Sequence, residues 1–349
     1  MMLMKCALLY GPFDLRVEDQ DQPKIGLDEV LVRIKACGVC GTDINAYVGK
    51  KPKGWVLKFP YRLGHEVAGT VEEVGKKVYG VFKGDDVVAD GRVSCGRCSF
   101  CRRGVYNLCT NQSYIAGGFT EYNKYPFKNL IKIPKNLSIE EAAFTEPLAC
   151  CVNGIEKLDA KLGSSGIVIG DGPIGMLHLQ LLRNRGVSTI MIGHHDHRLK
   201  VAEKLGAETT INSKTSDALN AVKRLTDGRG LDIVVFAVAS EREEDCLQAE
   251  TEGFKMLAKR GQMLLFAATH FQGKPDIDLD SIHYNELRVV GSHDSTIGQY
   301  ETALKLLSSG AVNVKPLITH TLPLEKIKEG FEIASERKGL KVLIKPGMS

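Results

Sequence analysis

The stretch "GIVIGDGPIGM", Gly166 to Met176, decides the fold of the second half of this 349-residue chain. An apolar run leads into three glycines spaced as G-x-G-x-x-G, and an amphipathic segment follows. In this context the first glycine allows a tight turn, the second lets a pyrophosphate approach the backbone, and the third packs helix on strand. The pattern predicts a dinucleotide at the helix N-terminus, against the alternative of a glycine turn without a ligand. The residues predicted to bind it are Gly170, Gly172, Pro173, Ile174 and Gly175.

Strand and helix patterns alternate on both sides of this turn, from about Cys150 onward. Short, branched apolar runs recur in "STIMIG", "AETTIN", "DIVVFA" and "QMLLFA", and "HRLKVAEKLGA" and "SDALNAVKRLTD" between them have helical periodicity. This alternation predicts a parallel sheet with helices on both faces. After "LRVVGS" we expect a helix over "GQYETALKLLSSG" and a last strand in "GLKVLIKPG".

The chain before about residue 147 has a different texture, with short strand-like runs broken by Gly, Pro and Asp. "DEVLVRIKACGVCGTD" and "GHEVAGTVEEVG" alternate apolar with polar residues, which is typical of half-buried strands in an antiparallel sheet or barrel. The length is sufficient for two domains with separate cores. The predicted class is therefore α/β, with a β-rich domain and a doubly wound parallel-sheet domain.

Composition excludes several classes of function. A net charge of +4 without a dominant basic run argues against nucleic acid or an anionic membrane surface as partner. No apolar stretch is long enough to span a membrane, and the start "MMLMKCALLYGPF" lacks the features of a secretory signal, so we expect a cytoplasmic protein. Thiols stay reduced there, and the ten cysteines suggest metal binding before disulfides.

Four of those cysteines lie in "CGRCSFCRRGVYNLC". Cysteines two residues apart can present both thiolates to one tetrahedral ion, and four sulfurs complete a closed shell, which is typical of a structural zinc site. An iron–sulfur cluster is the main alternative. The neighbouring arginines also allow a zinc module that contacts nucleic acid, although solvated side chains around a negative tetrathiolate are the preferred interpretation. The predicted ligands are Cys95, Cys98, Cys101 and Cys109.

A second set of metal-ligand types lies in "GVCGTDINAY", "LGHEVAGTVEEVG" and "TEPLACC". Cys40, His65, Glu66 and Glu146 offer mixed sulfur, nitrogen and oxygen donors, which suit a zinc that keeps an open position and acts as a Lewis acid. Asp43 could accept the other ring N–H of His65 and fix its tautomer. Cys37 is interpreted as a neighbour packed beneath this site, although the spacing alone also allows a thiol site that includes it.

These segments together resemble the zinc-dependent medium-chain alcohol dehydrogenase family, and "VCGTD", "GHEVAGTVEEVG", "EPLA", "GDGPIG" and "PLITHTLPLEKIKEGFE" occur in the family's order over nearly the whole chain. The resemblance implies a GroES-like catalytic domain over residues 1–147 and 291–349. It also implies a Rossmann coenzyme-binding domain over residues 148–290.

The resemblance further implies roles for single residues. Cys40 and His65 would be catalytic zinc ligands, and Glu66 a carboxylate that binds the ion or swings away from it. Glu146 stands where ethanol-type members have a second cysteine, as in the sorbitol and threonine dehydrogenase branch. Thr42 would take the substrate proton. Asn45 replaces the histidine that often passes this proton on, and it cannot titrate.

The stretch "TIMIGHHDHRLK" bears on the choice of coenzyme. NAD-binding sites normally carry an acidic residue about 20 residues beyond the glycine turn, at the end of the second strand, to hold the ribose hydroxyls. Counting reaches Gly193 or His194 here, and neither is acidic. His195 and Arg198 offer donors to a 2′-phosphate, so NADP is predicted, with NAD, through Asp196, as the alternative. A solvated loop or a metal at these histidines are the other interpretations.

The expected activity is reversible hydride transfer between NAD(P) and a polyol, sugar or related secondary alcohol, with two zinc ions per chain. The alternatives are a zinc-independent quinone or enone reductase and a non-enzymatic redox-sensing or structural protein. A homo-oligomer is expected from the branch, with a tetramer favoured over a dimer.

Overall fold

The computed structural model describes residues 2–50, 57–238, 242–267 and 273–348. The chain forms two compact units. The first contains residues 1–149, 295–310 and 314–349, and the second contains residues 150–294 and 311–313. No helix within the described ranges is long and apolar enough to span a bilayer.

The strands come in two groups, since those before residue 140 and after residue 315 belong to the first unit and the others to the second. In chain order they are β1 (Leu3–Gly11), β2 (Asp14–Asp21), β3 (Glu29–Gly38), β4 (Tyr61–Arg62), β5 (Glu66–Val74), β6 (Asp86–Ala89), β7 (Arg92–Val93), β8 (Ser113–Tyr114), β9 (Tyr122–Pro126), β10 (Leu130–Lys132), β11 (Ser165–Ile169), β12 (Ser188–Gly193), β13 (Thr209–Asn212), β14 (Leu231–Phe236), β15 (Leu257–Leu265), β16 (Arg288–Gly291), β17 (Ile318–Pro323) and β18 (Lys341–Lys345).

The helices have between 4 and 13 residues. In chain order they are α1 (Gly41–Tyr47), α2 (Ser99–Arg102), α3 (Ile139–Ala142), α4 (Thr145–Ile155), α5 (Pro173–Asn184), α6 (Asp196–Lys204), α7 (Ala218–Leu225), α8 (Glu243–Lys255), α9 (Leu279–Tyr284), α10 (Ile297–Ser308) and α11 (Ile327–Ser335). Short 3₁₀ turns lie at Tyr106–Leu108, Phe127–Asn129, Lys315–Leu317 and Leu324–Lys326.

The main sheet of the first unit has the order β10-β6-β5-β3-β18-β17, and β9 also pairs with β3. In β3 the apolar side chains of Val30, Val32 and Ile34 alternate with other residues and are buried in the core of this unit. The antiparallel register places Val32 opposite Val71 of β5, which adds a second buried row. The two-stranded ribbon β7-β8 stands apart from this sheet and carries the cysteine-rich segment.

The sheet of the second unit is parallel, with the order β13-β12-β11-β14-β15-β16. Its central strands β11, β12 and β14 are rich in branched apolar residues, and Ile167, Val234 and Phe236 are buried in its core. Strands β12 and β13 lie on one side of β11, and strands β14, β15 and β16 lie on the other side. The gap between β11 and β14 is therefore the switch point of a doubly wound sheet. Ligands of such sheets bind beyond the carboxyl ends of the strands at that point, where the glycine turn follows β11.

The observed elements confirm the predicted α/β class, the strand–turn–helix around the glycines, and the final strand over "GLKVLIKPG". In one stretch the alternation of apolar and polar residues predicted a longer strand than the structure forms. "DEVLVRIKACGVCGTD" is a strand only to Gly38, and α1 begins at Gly41. The helix starts there because the Asp43 side chain caps the backbone N–H of Cys40, a local contact that an apolar pattern does not register.

Candidate metal and coenzyme sites

The start of α1 positions Cys40 and Thr42. Cys40 is the N-cap of this helix, and the Asp43 carboxylate accepts a hydrogen bond from the Cys40 backbone N–H at 3.1 Å. This bond satisfies one of the donors that a helix start leaves without a partner in the helix. The Thr42 hydroxyl oxygen lies 3.8 Å from the Cys40 sulfur, so both groups are presented together.

His65 and Glu66 come from the turn that enters β5. The second oxygen of Asp43 accepts a hydrogen bond from the Gly64 N–H at 2.9 Å, which ties this turn to the start of α1. The same oxygen lies 3.6 Å from Nδ1 of His65. Asp43 is buried and stands where a residue that fixes the histidine tautomer must stand, because it faces one ring nitrogen and leaves the other for a ligand.

Cys40, His65 and Glu66 form one potential donor set. Each offers a donor atom, and these atoms all lie within 4.8 Å of one another. Burial disfavours a charged His65 ring, but the charges of Tyr114, Asp43 and Cys40 outweigh it and raise the pKa of His65 well above its usual value. The surroundings therefore favour a positive charge at this point, and a thiolate, an imidazole and a carboxylate fit a zinc ion.

A buried lysine holds Glu66 from the opposite side. Nζ of Lys341, on β18, lies 2.7 Å from both carboxylate oxygens of Glu66 and donates a further hydrogen bond to the Val39 carbonyl at 3.3 Å. Lys341 is 5% exposed and Glu66 is 1% exposed. Burial opposes the charge of Lys341, but Glu66 and Cys40 outweigh it and raise the pKa of the lysine. Glu66 is therefore shared between the donor set and a fixed cation.

The remaining residues expected at this site lie close by without joining the donor set. Glu146 is in the first turn of α4, is half-buried, and acts electrostatically on Lys341. Among the described residues it does not belong to the group formed by Cys40, His65 and Glu66. Asn45 lies half-buried on α1. Cys37 is fully buried in the core and is likewise outside that group.

The structure brings the four predicted cysteine ligands together in one small lobe, which we define as residues 95–109. Their sulfur atoms all lie within 4.8 Å of one another, with 4.0 Å between Cys95 and Cys101 and 3.9 Å between Cys98 and Cys109. The short helix α2 begins after Cys98, whose sulfur accepts a hydrogen bond from the Cys101 backbone N–H. Four sulfurs converging on one point have no disulfide among them and fit a tetrahedral zinc ion.

Backbone N–H groups favour a negative charge on the Cys98 sulfur. Hydrogen bonds from the backbone N–H groups of Cys101 and Thr110 lower the pKa of Cys98 to about 5. The arginines at positions 97, 102 and 103 of this segment are exposed, and the Arg103 guanidinium lies over the Phe100 ring and donates to the Ser99 carbonyl. These arginines agree with solvated side chains around a tetrathiolate, and Arg103 is held locally.

The glycine turn has the geometry that a pyrophosphate needs. Gly170 has a φ of +124°, and a Cβ there would lie 2.6 Å from the Ala237 carbonyl oxygen. A Cβ on Gly175 would lie 1.8 Å from the Gly170 carbonyl oxygen, so only glycine allows this contact between helix and strand. By contrast, nothing lies within 4 Å of a Cβ on Gly172. Open space therefore remains at the N-terminus of α5, with Pro173 as its first residue.

The end of β12 carries the residues expected near the adenosine ribose. His194 is exposed, His195 is half-buried and caps α6, and Arg198 is buried. Nδ1 of His195 lies 2.9 Å from the Asp171 carboxylate, and the Arg198 guanidinium lies 3.7 Å from the same carboxylate. Within the described ranges no metal-ligand group of three or more residues forms at these histidines.

Two charged residues at these sites were missed by the sequence analysis. Asp171 lies inside the glycine motif but was treated there as a variable position. Lys341 is the first residue of the last strand, where the residues from Lys341 to Ile344 are all buried. Nothing in the apolar pattern distinguished it from Lys345, the other lysine of the strand.

Two family profiles match the chain. Residues 26–135 match the family described as alcohol dehydrogenase GroES-like domain, and residues 173–309 match the family described as zinc-binding dehydrogenase. Both matches lie where the structure places the features described above, since the first contains the cysteine lobe and the second begins at the first residue of α5.

Three similar proteins cover nearly the whole chain. A sorbitol dehydrogenase of Halalkalibacterium halodurans is 32% identical over 346 residues, 97% of each chain. An L-threonine 3-dehydrogenase of Caldanaerobacter subterraneus subsp. tengcongensis is 34% identical over 331 residues, 93% of each chain. A solved structure from Sinorhizobium meliloti 1021, described as a zinc-binding dehydrogenase bound to NADP, has a TM-score of 0.90 and 29% identity, and covers 99% of this chain and 100% of that one.

Proposed function

The chain belongs to the zinc-dependent medium-chain alcohol dehydrogenase family, and we propose that it transfers hydride between a nicotinamide coenzyme and a secondary alcohol of a polyol, sugar or related small molecule. The observation that carries this proposal is the donor set of Cys40, His65 and Glu66. The substrate class is supported by the sorbitol dehydrogenase, which resembles the chain over almost its full length. We also propose that the first unit is the catalytic domain and the second the coenzyme-binding domain.

At the catalytic site, zinc would act as the Lewis acid for the alcohol oxygen and the nicotinamide would accept the hydride. Cys40 and His65 would hold the ion, and Glu66, paired with Lys341, would provide a third donor. Glu146, in the first turn of α4, adjusts the charge of this site. Thr42 accepts the substrate proton, because its hydroxyl stands beside the Cys40 sulfur.

Proton release follows a different route from one that uses a titrating histidine. Asn45 can hydrogen-bond but holds no proton that it could exchange near neutral pH. The proton taken by Thr42 is therefore passed to water or to another base. The structural zinc would be bound by Cys95, Cys98, Cys101 and Cys109, where it ties the lobe together.

The coenzyme is proposed to be NADP, with NAD as the alternative. The pyrophosphate would lie over Gly172, and Gly170, Ile174 and Gly175 form the rest of the turn. The end of β12 supports the preference, because Gly193, His194 and His195 offer no acidic side chain to the ribose. The similar Sinorhizobium meliloti structure, described as bound to NADP, supports it as well.

Zinc analysis and a substrate screen test the proposal against its rivals. We expect about two zinc ions per chain, and reduction of NADP in the presence of a polyol or secondary alcohol, followed by absorbance of the reduced nicotinamide. One zinc per chain with turnover of quinones or enones would indicate a zinc-independent reductase. Two zinc ions with no turnover of any alcohol by either coenzyme would favour a non-enzymatic protein.

A cytoplasmic homo-oligomer, with a tetramer favoured over a dimer, is also part of the proposal. Ten thiols without a disulfide suit a reducing compartment. The edge strand β16 pairs with β15 on one side, and no described strand pairs with its other side. Val289 on this strand is 39% exposed. Unprotected edges of this kind pair with a second chain. Light scattering after gel filtration would show the mass, and Val289→Lys should lower it.

A further inference from the structure

Asp171, the second residue of the glycine turn, reaches across to the end of β12. Its Oδ2 accepts hydrogen bonds from the backbone N–H groups of His194 at 2.8 Å and His195 at 2.9 Å. The same oxygen lies 2.9 Å from Nδ1 of His195. Because an ionised carboxylate only accepts hydrogen bonds, this ring nitrogen carries its hydrogen. Asp171 is 8% exposed, so its charge is compensated by these internal donors.

The residues around Asp171 leave room for its side chain and compensate its charge. A Cβ on Gly193 would lie 2.5 Å from the Cβ of Asp171, so glycine is required where the side chain crosses. The Arg198 guanidinium lies 3.7 Å from Oδ1, and Arg198 is only 5% exposed. Burial alone would raise the pKa of Asp171, but the hydrogen bonds from His194 and His195 and the charges of His195 and Arg198 outweigh it and lower the pKa.

The donors that Asp171 uses are of the kind that binds a phosphate. Two consecutive backbone N–H groups ahead of a helix, an imidazole N–H and a guanidinium form a typical anion site. In an NAD site the carboxylate at this strand end comes from the second strand and accepts the ribose hydroxyls. Here the carboxylate comes from the turn after the first strand, and its Oδ2 is already occupied by protein donors.

We propose that Asp171 determines the coenzyme specificity of this chain by acting as an internal anion at the end of β12. It occupies the backbone and His195 donors that a 2′-phosphate would otherwise use, and it holds the Arg198 charge toward itself. The phosphate of NADP is then bound by the more exposed side chain of His194, and the preference for NADP stays modest. This inference rests on the proposed coenzyme site and names the residue that limits its selectivity.

The test measures binding of coenzyme fragments to the full chain by calorimetry, without turnover. The ligands are 5′-AMP and 2′,5′-ADP, which differ by the 2′-phosphate. Asp171→Asn keeps the shape and one acceptor oxygen but removes the charge. Glu203→Gln is the matched control, because Glu203 is an exposed carboxylate near the C-terminal end of α6 that accepts a hydrogen bond from Thr210 of β13.

We expect Asp171→Asn to tighten 2′,5′-ADP by about tenfold, the effect of removing one charge near a partly screened phosphate, and to leave 5′-AMP unchanged. Glu203→Gln should change the ratio of the two affinities much less, because water and salt screen an exposed charge. The ratio of kcat/KM for NADP to that for NAD should rise with the fragment ratio, through a lower KM for NADP.

Other outcomes overturn the inference. Weaker binding of 5′-AMP alone to Asp171→Asn would show that Asp171 accepts a hydrogen bond from a ribose hydroxyl. Equal weakening of both fragments would show a purely structural role. If wild-type chain binds neither fragment, the proposed coenzyme site fails as well. If Asp171→Asn unfolds below the assay temperature, Asp171→Ser keeps a small acceptor for the backbone N–H groups, and an unchanged fragment ratio in that folded variant also overturns the inference.

Discussion

Replacing Lys341 by methionine tests whether the buried cation holds the metal site together. Methionine keeps the apolar part of the side chain, but Glu66 then remains charged at 1% exposure without the cation 2.7 Å away. Removing one partner of a buried pair costs about 3–5 kcal/mol, because the other charge stays buried and unpaired. A zinc ion on Glu66 would compensate the same charge, so we expect Lys341→Met to lower the free energy of unfolding by about that amount in zinc-free samples.

The same strand provides a matched control. Lys345 pairs with Glu140, and both side chains are about one third exposed. Solvent screens this pair, so Lys345→Met should cost less than about 1 kcal/mol. Urea unfolding followed by circular dichroism, on samples of measured zinc content, gives both values. Equal stability of the two variants would refute the argument.

The double variant Lys341→Met, Glu66→Gln separates charge from packing. If an unpaired carboxylate is the cause of the loss, neutralising Glu66 as well should restore part of the stability. If the double variant is no more stable than Lys341→Met, the lost hydrogen bond to Val39 and the lost packing explain the effect instead. Glu66→Gln alone leaves Lys341 without its counter-ion and should also be destabilising.

The remaining predictions concern the two metal sites, the coenzyme site and the core. Cys98→Ser should release the structural zinc and lower the melting temperature more than it lowers turnover by the remaining folded protein, measured by elemental analysis, calorimetry and kinetics. Cys40→Ser should abolish hydride transfer but leave calorimetric binding of the coenzyme intact, whereas Glu146→Gln should reduce activity without abolishing it. Partial desolvation of its ring lowers the pKa of His194, so any NADP advantage that needs its charge should disappear as the pH rises through a value below the usual ~6.5. A coenzyme affinity ratio that is flat from pH 5 to pH 8 would contradict this. His178 is fully buried, no described group hydrogen-bonds its ring, and burial lowers its pKa to about 3. His178→Leu should therefore raise the free energy of unfolding by about 1 kcal/mol at neutral pH. The unfolded state binds the proton that the folded state refuses, so this gain should grow as the pH falls from about 6.5 toward 3, as seen in urea titrations at several pH values.

Local motifs were predictable because their information lies in neighbouring residues. The turn from Gly170 to Gly175 needs only a strand before it and a helix after it, and both are visible as apolar periodicity. The lobe that ends at Cys109 is defined by spacings of two and seven residues. In each case the chain reaches its partner within a turn or a short loop, so sequence separation and spatial distance nearly coincide.

The donor set of Cys40 and His65 was less accessible. The two residues lie on different elements, and nothing in their spacing requires that α1 and the turn before β5 meet. They were grouped by ligand type, and the resemblance to a family then gave them their roles, but the structure supplies the physical reason that they meet. Asp43 binds the backbone at both Cys40 and Gly64 and so brings the two segments together. A single buried carboxylate therefore joins the two segments, and no pattern of apolar residues predicts this contact.

Lys341 and Asp171 were missed for a related reason. Lysine and aspartate are usually found on the surface, so an analysis of apolar periodicity does not predict that either residue is buried. Each is nevertheless almost fully buried, and each is stabilised by groups on another element, 275 residues away for the Lys341–Glu66 pair and 24 residues away for Asp171 and His195. Burial of a charge is costly without such a partner. A charged residue at an inward strand position, or beside a ligand-binding turn, therefore predicts a specific opposite charge elsewhere in the chain. In this chain that reasoning leads to Glu66 beside the metal donors in the first case, and to the end of β12 in the second.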